Sequence, residues 1–262
     1  MSSDRWADLK TRVASGIAMA VIGIGLLWAG GAYFTFLAGI VTLLMIWELV
    51  HMTNPDQRTL AVPIGMLGAV SIMVASTMHG FYALPLTIAP ALTGATLLKR
   101  HRRIFTVYAV AVLLAGYALA MFRDTQGLAW MIWLVLVVVA TDVFGYFAGR
   151  MLGGPKFWPA ISPKKTWSGT VAGWISAAVI GLIFHLLTGA GLGLVLISAL
   201  LSFASQMGDI AESAIKRRMG VKDSSALIPG HGGVLDRFDG LLGASVVMLI
   251  ITALGLAPVI GF

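Results

Sequence analysis

The sequence contains no cysteine, and only 11% of its residues are charged. Without cysteine the chain cannot form a disulfide, a thiolate zinc site or a cysteine nucleophile. Hydrophobic residues make up 58% of the chain and the mean hydropathy is +0.92, values far outside the range of a soluble globular domain. The composition therefore excludes the soluble classes and predicts a membrane protein.

Apolar runs of about 20 residues recur from end to end, and each is long enough to cross a hydrocarbon core of ~30 Å as a helix. The runs lack the alternation of barrel strands, and helices satisfy their own backbone groups in lipid. We therefore predict an all-α polytopic membrane protein with about nine transmembrane helices. The predicted spans are 13–30, 33–50, 61–78, 81–98, 104–121, 127–149, 169–187, 191–212 and 241–260. In the fourth span, Pro85 and Pro90 leave open the alternative of a kinked or re-entrant segment.

The basic residues are distributed unequally between the two faces that nine spans create. One face would carry Arg5, Lys10, Arg12, Arg58, Lys99, Arg100, Arg102, Arg103, Arg150, Lys156, Lys164, Lys165, Lys216, Arg217, Arg218, Lys222 and Arg237. Only Arg123 lies on the other face. The positive-inside rule makes the basic face cytoplasmic and predicts an N-in, C-out orientation. Because topology and anionic lipid explain this charge, we expect a membrane-lipid partner and no nucleic acid.

The domain organisation follows from where polar residues collect. We expect one membrane domain over residues 1–262, with an N-terminal helical array at 1–125 and a catalytic half at 126–262. The catalytic half contains two cytoplasmic loops, 150–168 and 213–240, which are longer than a connection requires. Gly, Pro, Lys and Asp concentrate in these loops, so the sequence predicts that function lies there.

A polar stripe precedes the second loop. At 100° per residue, one helix face collects Ser205, Gln206, Asp209, Glu212, Ser213 and Lys216. Acidic groups at this depth are costly in lipid, so they indicate function. We interpret Asp209 as a ligand, whereas Glu212 is either functional or an ion-pair partner of Lys216 one turn later.

The end of the second loop adds further carboxylates, at Asp236 and Asp239, between Gly232-Gly233 and the last span. Oxygen ligands without cysteine suit a hard cation such as Mg²⁺, which binds one or two carboxylates together with substrate phosphates. Neighbouring lysines and arginines would hold phosphate oxygens. Carboxylates, cations and a glycine-rich turn together predict substitution at phosphorus.

These residues resemble the phosphatidate cytidylyltransferases, also called CDP-diglyceride synthases. The shared pattern near the C-terminus comprises Ser213, Lys216, Arg217, Lys222, Asp223, Pro229, His231, Gly232, Gly233, Asp236, Arg237 and Asp239. The resemblance extends to TDVFGYFAGR at 141–150, SPKKTWSG at 162–169 and GDIAES at 208–213. It covers the second half of the chain, since the first half resembles the family only as a hydrophobic helical array.

The resemblance implies a Mg²⁺-dependent reaction of CTP with phosphatidate, in phospholipid biosynthesis, at the cytoplasmic side of a bacterial inner membrane. The implied metal ligands are Asp209, Asp236 and Asp239, with a second cation left open. The same three aspartates are the implied catalytic residues, together with Lys216, Arg217, Lys222, His231 and Arg237. Substrate-binding residues would be Asp142, Ser162, Lys164, Lys165, Thr166, Ser213, Gly232 and Gly233. A homodimer is also left open.

Several of these roles have structural alternatives. Asp142 is either functional or a helix-packing hydrogen-bond partner of Thr141 or another span. Lys164 and Lys165 stand just ahead of a predicted helix start, where free N–H groups favour phosphate, but they also suit ordinary topogenesis. His231 is either a donor to phosphate or a structural turn residue. Glu48 either extends to the membrane interface or lines a cavity.

Two other functions compete with this interpretation. Asp236 to Gly240 begins the motif of the CDP-alcohol phosphatidyltransferases, but Leu241 and Leu242 follow where that motif continues with Ala-Arg. A secondary transporter would use Asp142 and Asp209 to couple ions near mid-membrane. It predicts ionisable residues deep in several spans, whereas the acids here collect at one predicted edge.

Overall fold

The computed structural model describes residues 3–78 and 82–257. Within this part the chain forms α1 (Ser3–Ala29), α2 (Gly31–Thr53), a 3-10 helix (Pro55–Leu60), α3 (Ala61–Ala75), α4 (Ala83–Leu97) and α5 (Arg102–Gln126). It continues with α6 (Leu128–Met151), β1 (Lys156–Trp158), β2 (Ser162–Thr166), α7 (Trp167–Thr188), α8 (Gly193–Met219) and α9 (Leu235–Ala253). Residue 81 of the predicted fourth span and residues 258–260 of the ninth lie outside the described residues.

The all-α fold class is confirmed, because each predicted span coincides with one of the nine helices in the described ranges. The one addition is a short antiparallel hairpin, β1 and β2, inside the segment that the sequence predicted only as a loop. Seven described segments are long and apolar enough to cross a membrane, namely α1, α2, the 3-10 helix with α3, α5, α6, α7 and α8. Helix α4 is a shorter apolar helix of 15 residues. The number of crossings and the N-in, C-out orientation therefore stay predictions.

Arg123, the one basic residue predicted on the opposite face, has a structural role at the end of α1. Its Nε donates to Leu27 O at 2.9 Å and its Nη2 donates to Trp28 O at 3.3 Å. These are carbonyls of the last turn of α1, which lack partners within the helix. Gly30 ends α1 with φ 63°, and a Cβ there would meet the Arg123 guanidinium. The guanidinium thus caps the last turn of α1.

The chain divides into two compact units, of which unit 1 comprises residues 1–128 and 216–238. In unit 1, α2 packs on α3 and α5, and α4 packs on α3 and α5. The inner face of α2 is fully covered, with Ile46, Leu49 and Val50 at most 1% exposed. The segment 216–238, which we predicted as part of the catalytic half, thus clusters with the N-terminal array.

Unit 2 comprises residues 129–215 and 239–262. Its helices α6 and α7 cross closely at Gly145, Gly149 and Gly169, because a Cβ on Gly169 would overlap the carbonyl of Gly145. Small residues at such crossings let helix backbones approach in a membrane. The hairpin leads directly into α7, where the Thr166 hydroxyl accepts a hydrogen bond from Gly169 N at 3.2 Å and caps the helix.

The predicted orientation can be tested by cysteine labelling, because the chain has no cysteine of its own. Thr125, Ala160 and Ala226 are exposed, so a cysteine at each is expected to be reachable by a membrane-impermeant thiol reagent. We expect labelling at 160 and 226 only when the cytoplasmic face is open, and labelling at 125 only from the opposite side. Labelling of 125 and 226 from the same side would contradict the nine-span topology.

Candidate active site

The carboxylate of Asp236 is the most heavily hydrogen-bonded of the predicted site groups in unit 1. Lys216 Nζ lies 2.6 Å from its Oδ1, and the two side chains are only 14% and 6% exposed. Its Oδ2 accepts three hydrogen bonds of 2.8 Å, from the backbone N–H and the hydroxyl of Ser224 and from the backbone N–H of Gly233. The segment between α8 and α9 therefore folds around this one carboxylate.

These contacts determine the protonation of Asp236, which stands in the first turn of α9 ahead of its apolar run. Burial by itself raises the pKa of the carboxyl group. The hydrogen bond from Lys216 and those from Gly233 and Ser224 outweigh this effect, so the pKa of Asp236 lies below its ordinary value. Asp236 is thus held as an anion near neutral pH.

A tight turn at 228–232 carries His231. Ile228 and Gly232 exchange backbone hydrogen bonds of 2.8 and 3.1 Å, and Gly230 and Gly232 adopt φ of 75° and 85°. His231 Nδ1 lies 2.9 Å from the Ser15 hydroxyl of α1, and the His231 carbonyl accepts two hydrogen bonds from Arg237 at 2.9 and 2.7 Å. These contacts favour the structural alternative for His231, while a contact with phosphate stays a prediction.

The other predicted cations of this segment are open to solvent. Arg217, Lys222 and Arg237 are exposed, in contrast to Lys216, which is largely buried against Asp236. Gly233 is buried, and a Cβ there would overlap the Ser224 hydroxyl. Unit 1 thus separates a buried ion pair from cations whose side chains are exposed.

Unit 2 has a second lysine–carboxylate pair. Lys165 Nζ lies 2.6 Å from Asp209 Oδ2, and the side chains are 24% and 35% exposed. Ser213 donates to Asp209 Oδ1 at 3.2 Å, and Lys165 Nζ lies 3.4 Å from the Gln206 carbonyl. The sequence predicted a functional role for each of Lys165, Asp209 and Ser213, and the structure brings these three together.

Asp142 lies at the same place in unit 2, where Asp209 and Lys165 are near enough to interact with its charge. Its side chain is exposed rather than turned into the helix packing. The packing hydrogen bonds belong to Thr141 instead, whose hydroxyl bonds Val137 O at 2.7 Å and Ser202 Oγ at 2.8 Å. Thr141 thus supplies the packing hydrogen bonds at this point, and the functional role of Asp142 stays a prediction.

The predicted phosphate-binding run is divided by the alternation of strand β2. Lys164 is exposed, whereas Lys165 is half-buried against Asp209. Thr166 is buried, and its hydroxyl is engaged with Gly169 N and with Ser168 Oγ, at 3.2 and 3.0 Å. Ser162, at the start of β2, is half-buried. The run therefore contains an exposed cation, a paired cation and a helix cap; its contacts with substrate stay predictions.

Two further carboxylates of unit 2 were singled out by the sequence. Asp239 Oδ1 accepts a hydrogen bond from Gly240 N at 2.7 Å, and a Cβ on Gly208 would overlap the Asp239 carbonyl. Asp239 thus lies against Gly208, the residue before Asp209. Glu212 is fully buried on α8. Its predicted alternatives, a functional role or an ion pair with Lys216, stay open.

The donor set is compatible with a hard cation. The side chains gathered in each unit offer carboxylate and hydroxyl oxygens with no sulfur, which are ligands that Mg²⁺ accepts. In neither unit do three His, Asp or Glu side chains of the described residues form a ready-made metal cage. Mg²⁺ usually keeps waters and uses substrate phosphates as ligands, so one or two carboxylates suffice.

Sequence reasoning missed the role of Glu48. It lies near the end of α2, in the half that resembles the family only as a hydrophobic array, and its carboxylate accepts hydrogen bonds from the segment 224–235. The available signal was an acidic residue inside an apolar helix, which indicates function or a specific partner. Neither alternative that we considered, an interfacial or a cavity-lining position, fits a side chain that is 0% exposed.

Fold and site together define a class of protein. It is an integral membrane protein of packed helices that holds carboxylates against lysines and keeps further cations exposed, an arrangement suited to phosphorylated ligands. Comparison with known proteins agrees with this class. A profile described as "Cytidylyltransferase family" matches residues 10–254.

Curated relatives match almost the whole chain. A protein of Brucella abortus biovar 1 (strain 9-941) is 34% identical over 259 residues, covering 96% of each chain. A Bacillus subtilis (strain 168) protein is 33% identical over 253 residues, covering 90% of this chain and 94% of its own length. A Staphylococcus saprophyticus protein is 30% identical over 247 residues, covering 89% and 95%. All three are named phosphatidate cytidylyltransferase.

The chain therefore belongs to the cytidylyltransferase family, and the resemblance drawn from the C-terminal motif is confirmed. The matches also extend the resemblance to the first half of the chain, about which the C-terminal motif carried no information. Membership in this family decides against both the CDP-alcohol phosphatidyltransferase and the transporter.

Proposed function

We propose that this protein transfers the cytidylyl group of CTP to phosphatidate, giving CDP-diacylglycerol and diphosphate. The observation that carries the proposal is the match to phosphatidate cytidylyltransferases over 89–96% of the chain. The exposed cations and the two carboxylates paired with lysine also support the proposal, because both substrates and both products carry phosphate groups, which such cations bind. The substrates are thus CTP and a membrane lipid.

The reaction is a substitution at phosphorus. An oxygen of the phosphatidate phosphate forms a bond to the α-phosphorus of CTP, and the bond from that phosphorus to the oxygen bridging the β-phosphate breaks. Diphosphate leaves with the electron pair. Because the acceptor is already an anion, no protein nucleophile is required, and positioning and charge neutralisation supply most of the catalysis.

The residues divide this work according to their exposure. Arg217, Lys222 and Arg237, which are exposed, would hold phosphate oxygens, as would Lys164 of the hairpin. Lys165, which is only 24% exposed, holds Asp209 in place and is itself a candidate to contact the triphosphate. Gly232 and Gly233 shape the turn that gives Asp236 its hydrogen bonds, rather than contacting substrate through side chains.

Mg²⁺ is part of the proposal. Asp209, Asp236 and Asp239 would hold it, and when bound it would neutralise charge that develops on the phosphates. Asp209 is suited to this role because its carboxylate is one-third exposed. Among the described residues, Asp236 Oδ1 accepts from Lys216 alone, which leaves a lone pair for a ligand. A second cation and a homodimer remain open within the proposal.

The site is proposed to face the cytoplasm, where CTP is made, from a bacterial inner membrane. The basic residues of the segments 150–168 and 213–240 support this orientation through the positive-inside rule. The relatives from Brucella abortus and Bacillus subtilis are bacterial proteins, which supports the choice of membrane.

The proposed reaction can be tested directly with purified protein, CTP labelled at the α-phosphate, Mg²⁺ and phosphatidate. We expect label to enter the lipid extract only when phosphatidate is present. Replacing phosphatidate by diacylglycerol, which lacks the attacking phosphate, is the matched control. Failure to label lipid with phosphatidate, by protein shown to be folded, would overturn the proposed function.

Lys165 is expected to contribute more to activity than its neighbour Lys164. A charge-assisted hydrogen bond contributes about 1.5–3 kcal/mol, so Lys165→Gln should lower kcat/KM for CTP about 10- to 100-fold. Lys164→Gln should have a smaller effect, because that side chain is exposed and without an ion-pair partner in the described residues. Lys156→Gln, an exposed lysine on the paired strand, is the matched control. Equal kcat/KM for Lys165→Gln and the control would return this lysine to a topological role.

A further inference from the structure

Glu48 is a fully buried acid in the predominantly apolar helix α2. It stands five residues before the end of α2, and its residue is 0% exposed. Its neighbours along the helix, Ile46, Leu49 and Val50, belong to the core of unit 1. An uncompensated carboxylate at such a place would be strongly destabilising, so the groups that surround it decide its role.

Among the described residues, every observed hydrogen-bond partner of Glu48 is a donor within 224–235, the stretch that leads into and begins α9. Its Oε1 accepts from Ser225 Oγ at 2.6 Å and from Val234 N at 2.8 Å. Its Oε2 accepts from Leu235 N at 2.7 Å and lies 3.3 Å from Ser224 Oγ. A carboxylate has about four lone-pair sites, so this one is close to saturation.

Two of these donors stand at the start of α9. The backbone N–H groups in the first turn of a helix have no partner within the helix, and the helix dipole places positive charge there. Val234 and Leu235 supply two of these groups, and Glu48 accepts both from another helix. Glu48 therefore caps α9, which a local side chain usually does.

The capped residues stand directly beside Asp236. Asp236 follows Leu235, and its Oδ2 accepts from Gly233 N and from Ser224, the residue whose hydroxyl also lies near Glu48. The single hydroxyl proton of Ser224 serves one carboxylate at a time, and the distance of 2.8 Å favours Asp236 over Glu48 at 3.3 Å. Gly233 stands between the two acids, since a Cβ there would lie 2.5 Å from Glu48 Oε1.

From this arrangement we infer that Glu48 is a positioning residue for the reaction: by accepting from Val234 N and Leu235 N at the start of α9 and from Ser225, it orients the Asp236 carboxylate toward Lys216. Glu48 itself touches no substrate, because its side chain is enclosed. The inference rests on the proposed function, and it gives the N-terminal half of the chain a part in the chemistry. A misplacement of about 1 Å in a catalytic group costs about 100-fold in rate.

The test compares Glu48→Gln with the parent protein in detergent. The amide has one acceptor oxygen, and its NH₂ group would face donors, so at least one of the two backbone N–H groups loses its partner. We expect kcat to fall about 100-fold, with KM for CTP changed less than about threefold, because exposed cations bind the nucleotide. Hydrogen exchange followed by mass spectrometry should show faster exchange at 233–235, by about 10- to 100-fold.

Thr42→Val is the matched control, since Thr42 is a buried polar residue of the same helix, 1% exposed, and lies against Gly116 of α5. It should leave kcat and exchange at 233–235 unchanged. Ser225→Ala removes the 2.6 Å contact with Glu48, together with the hydrogen bond that Leu227 N donates to the same hydroxyl at 3.0 Å, and serves if Glu48→Gln does not fold. It should lower kcat about 10-fold, the expected cost of one hydrogen bond to a charged group.

The outcomes are distinct. A fall in kcat per folded molecule together with faster exchange at 233–235 supports the inference. Unchanged kcat per folded molecule in Glu48→Gln, or in Ser225→Ala where the first variant does not fold, shows that Glu48 only stabilises the fold and overturns it. If the parent protein itself does not transfer label to phosphatidate, the proposed function fails, while the exchange experiment still reports whether Glu48 caps α9.

Discussion

Replacing Asp209 or Asp236 by Asn is expected to abolish cytidylyl transfer, measured per folded, membrane-inserted molecule. Asn keeps the size of the side chain but removes the anionic oxygen that a hard cation prefers. The charge stabilisation that a metal supplies at phosphorus amounts to several kcal/mol, which corresponds to a loss of at least about 1000-fold in kcat. The measurement is transfer of label from CTP to lipid across a range of Mg²⁺ concentrations.

A matched control for both variants is Asp56→Asn. Asp56 also pairs with a cation, Arg100, at 3.0 Å, but the two side chains are 64% and 63% exposed. Exposed pairs of this kind contribute little, so activity should be unchanged. Near-normal activity of either Asp209→Asn or Asp236→Asn at low Mg²⁺ would show that the carboxylate in question is structural and that its assignment as a metal ligand is wrong.

The second large effect is expected on stability, from Lys216→Met. This substitution removes the ammonium group from a pair in which the side chains are 14% and 6% exposed, and leaves Asp236 buried without its cation. Breaking a buried pair in this way costs about 3–5 kcal/mol, because the remaining charge is uncompensated. The free energy of unfolding in detergent should fall accordingly. Lys222→Met, which changes an exposed lysine of the same segment, should have little effect on it.

The pH dependence of this loss provides a further check. The pKa of Asp236 is lowered in the folded protein, so the group stabilises the fold above its unfolded-state pKa, and this stabilisation is lost as the pH falls through the folded-state pKa. In Lys216→Met, acid protonates Asp236 and removes the uncompensated charge. The difference in unfolding free energy between parent and variant should therefore shrink at acidic pH. A constant difference would show that Lys216 acts through packing alone.

Part of the site could be predicted from the sequence, because its chemistry requires particular residue types at fixed spacing. Asp209, Ser213 and Lys165 were all predicted from the polar stripe and the motifs, and the structure brings them together within unit 2. The pairing of Lys216 with Asp236 could not be predicted, because the sequence offered Glu212 as a partner one helical turn away. Only the fold of the segment 220–235 places Asp236 at 2.6 Å from that lysine.

The hairpin shows a similar limit. Lys164 and Lys165 are adjacent in sequence, and both were assigned to phosphate. Strand alternation directs Lys165 toward Asp209 and leaves Lys164 exposed. A strand of five residues within a polar loop carries too little hydrophobic pattern to be recognised, so this difference depends on the paired strand and on α7.

By itself the sequence determined the membrane class, the helices and the family, because apolar length, the scarcity of charge and the spacing of the C-terminal motif each follow from local chemistry. Tertiary structure alone decided which cation serves which carboxylate, and that Glu48 of the N-terminal array caps α9 beside Asp236. The physical reason is distance along the chain. Glu48 and Leu235 are separated by 187 residues, and hydrogen bonds between such positions exist only after the helices have packed.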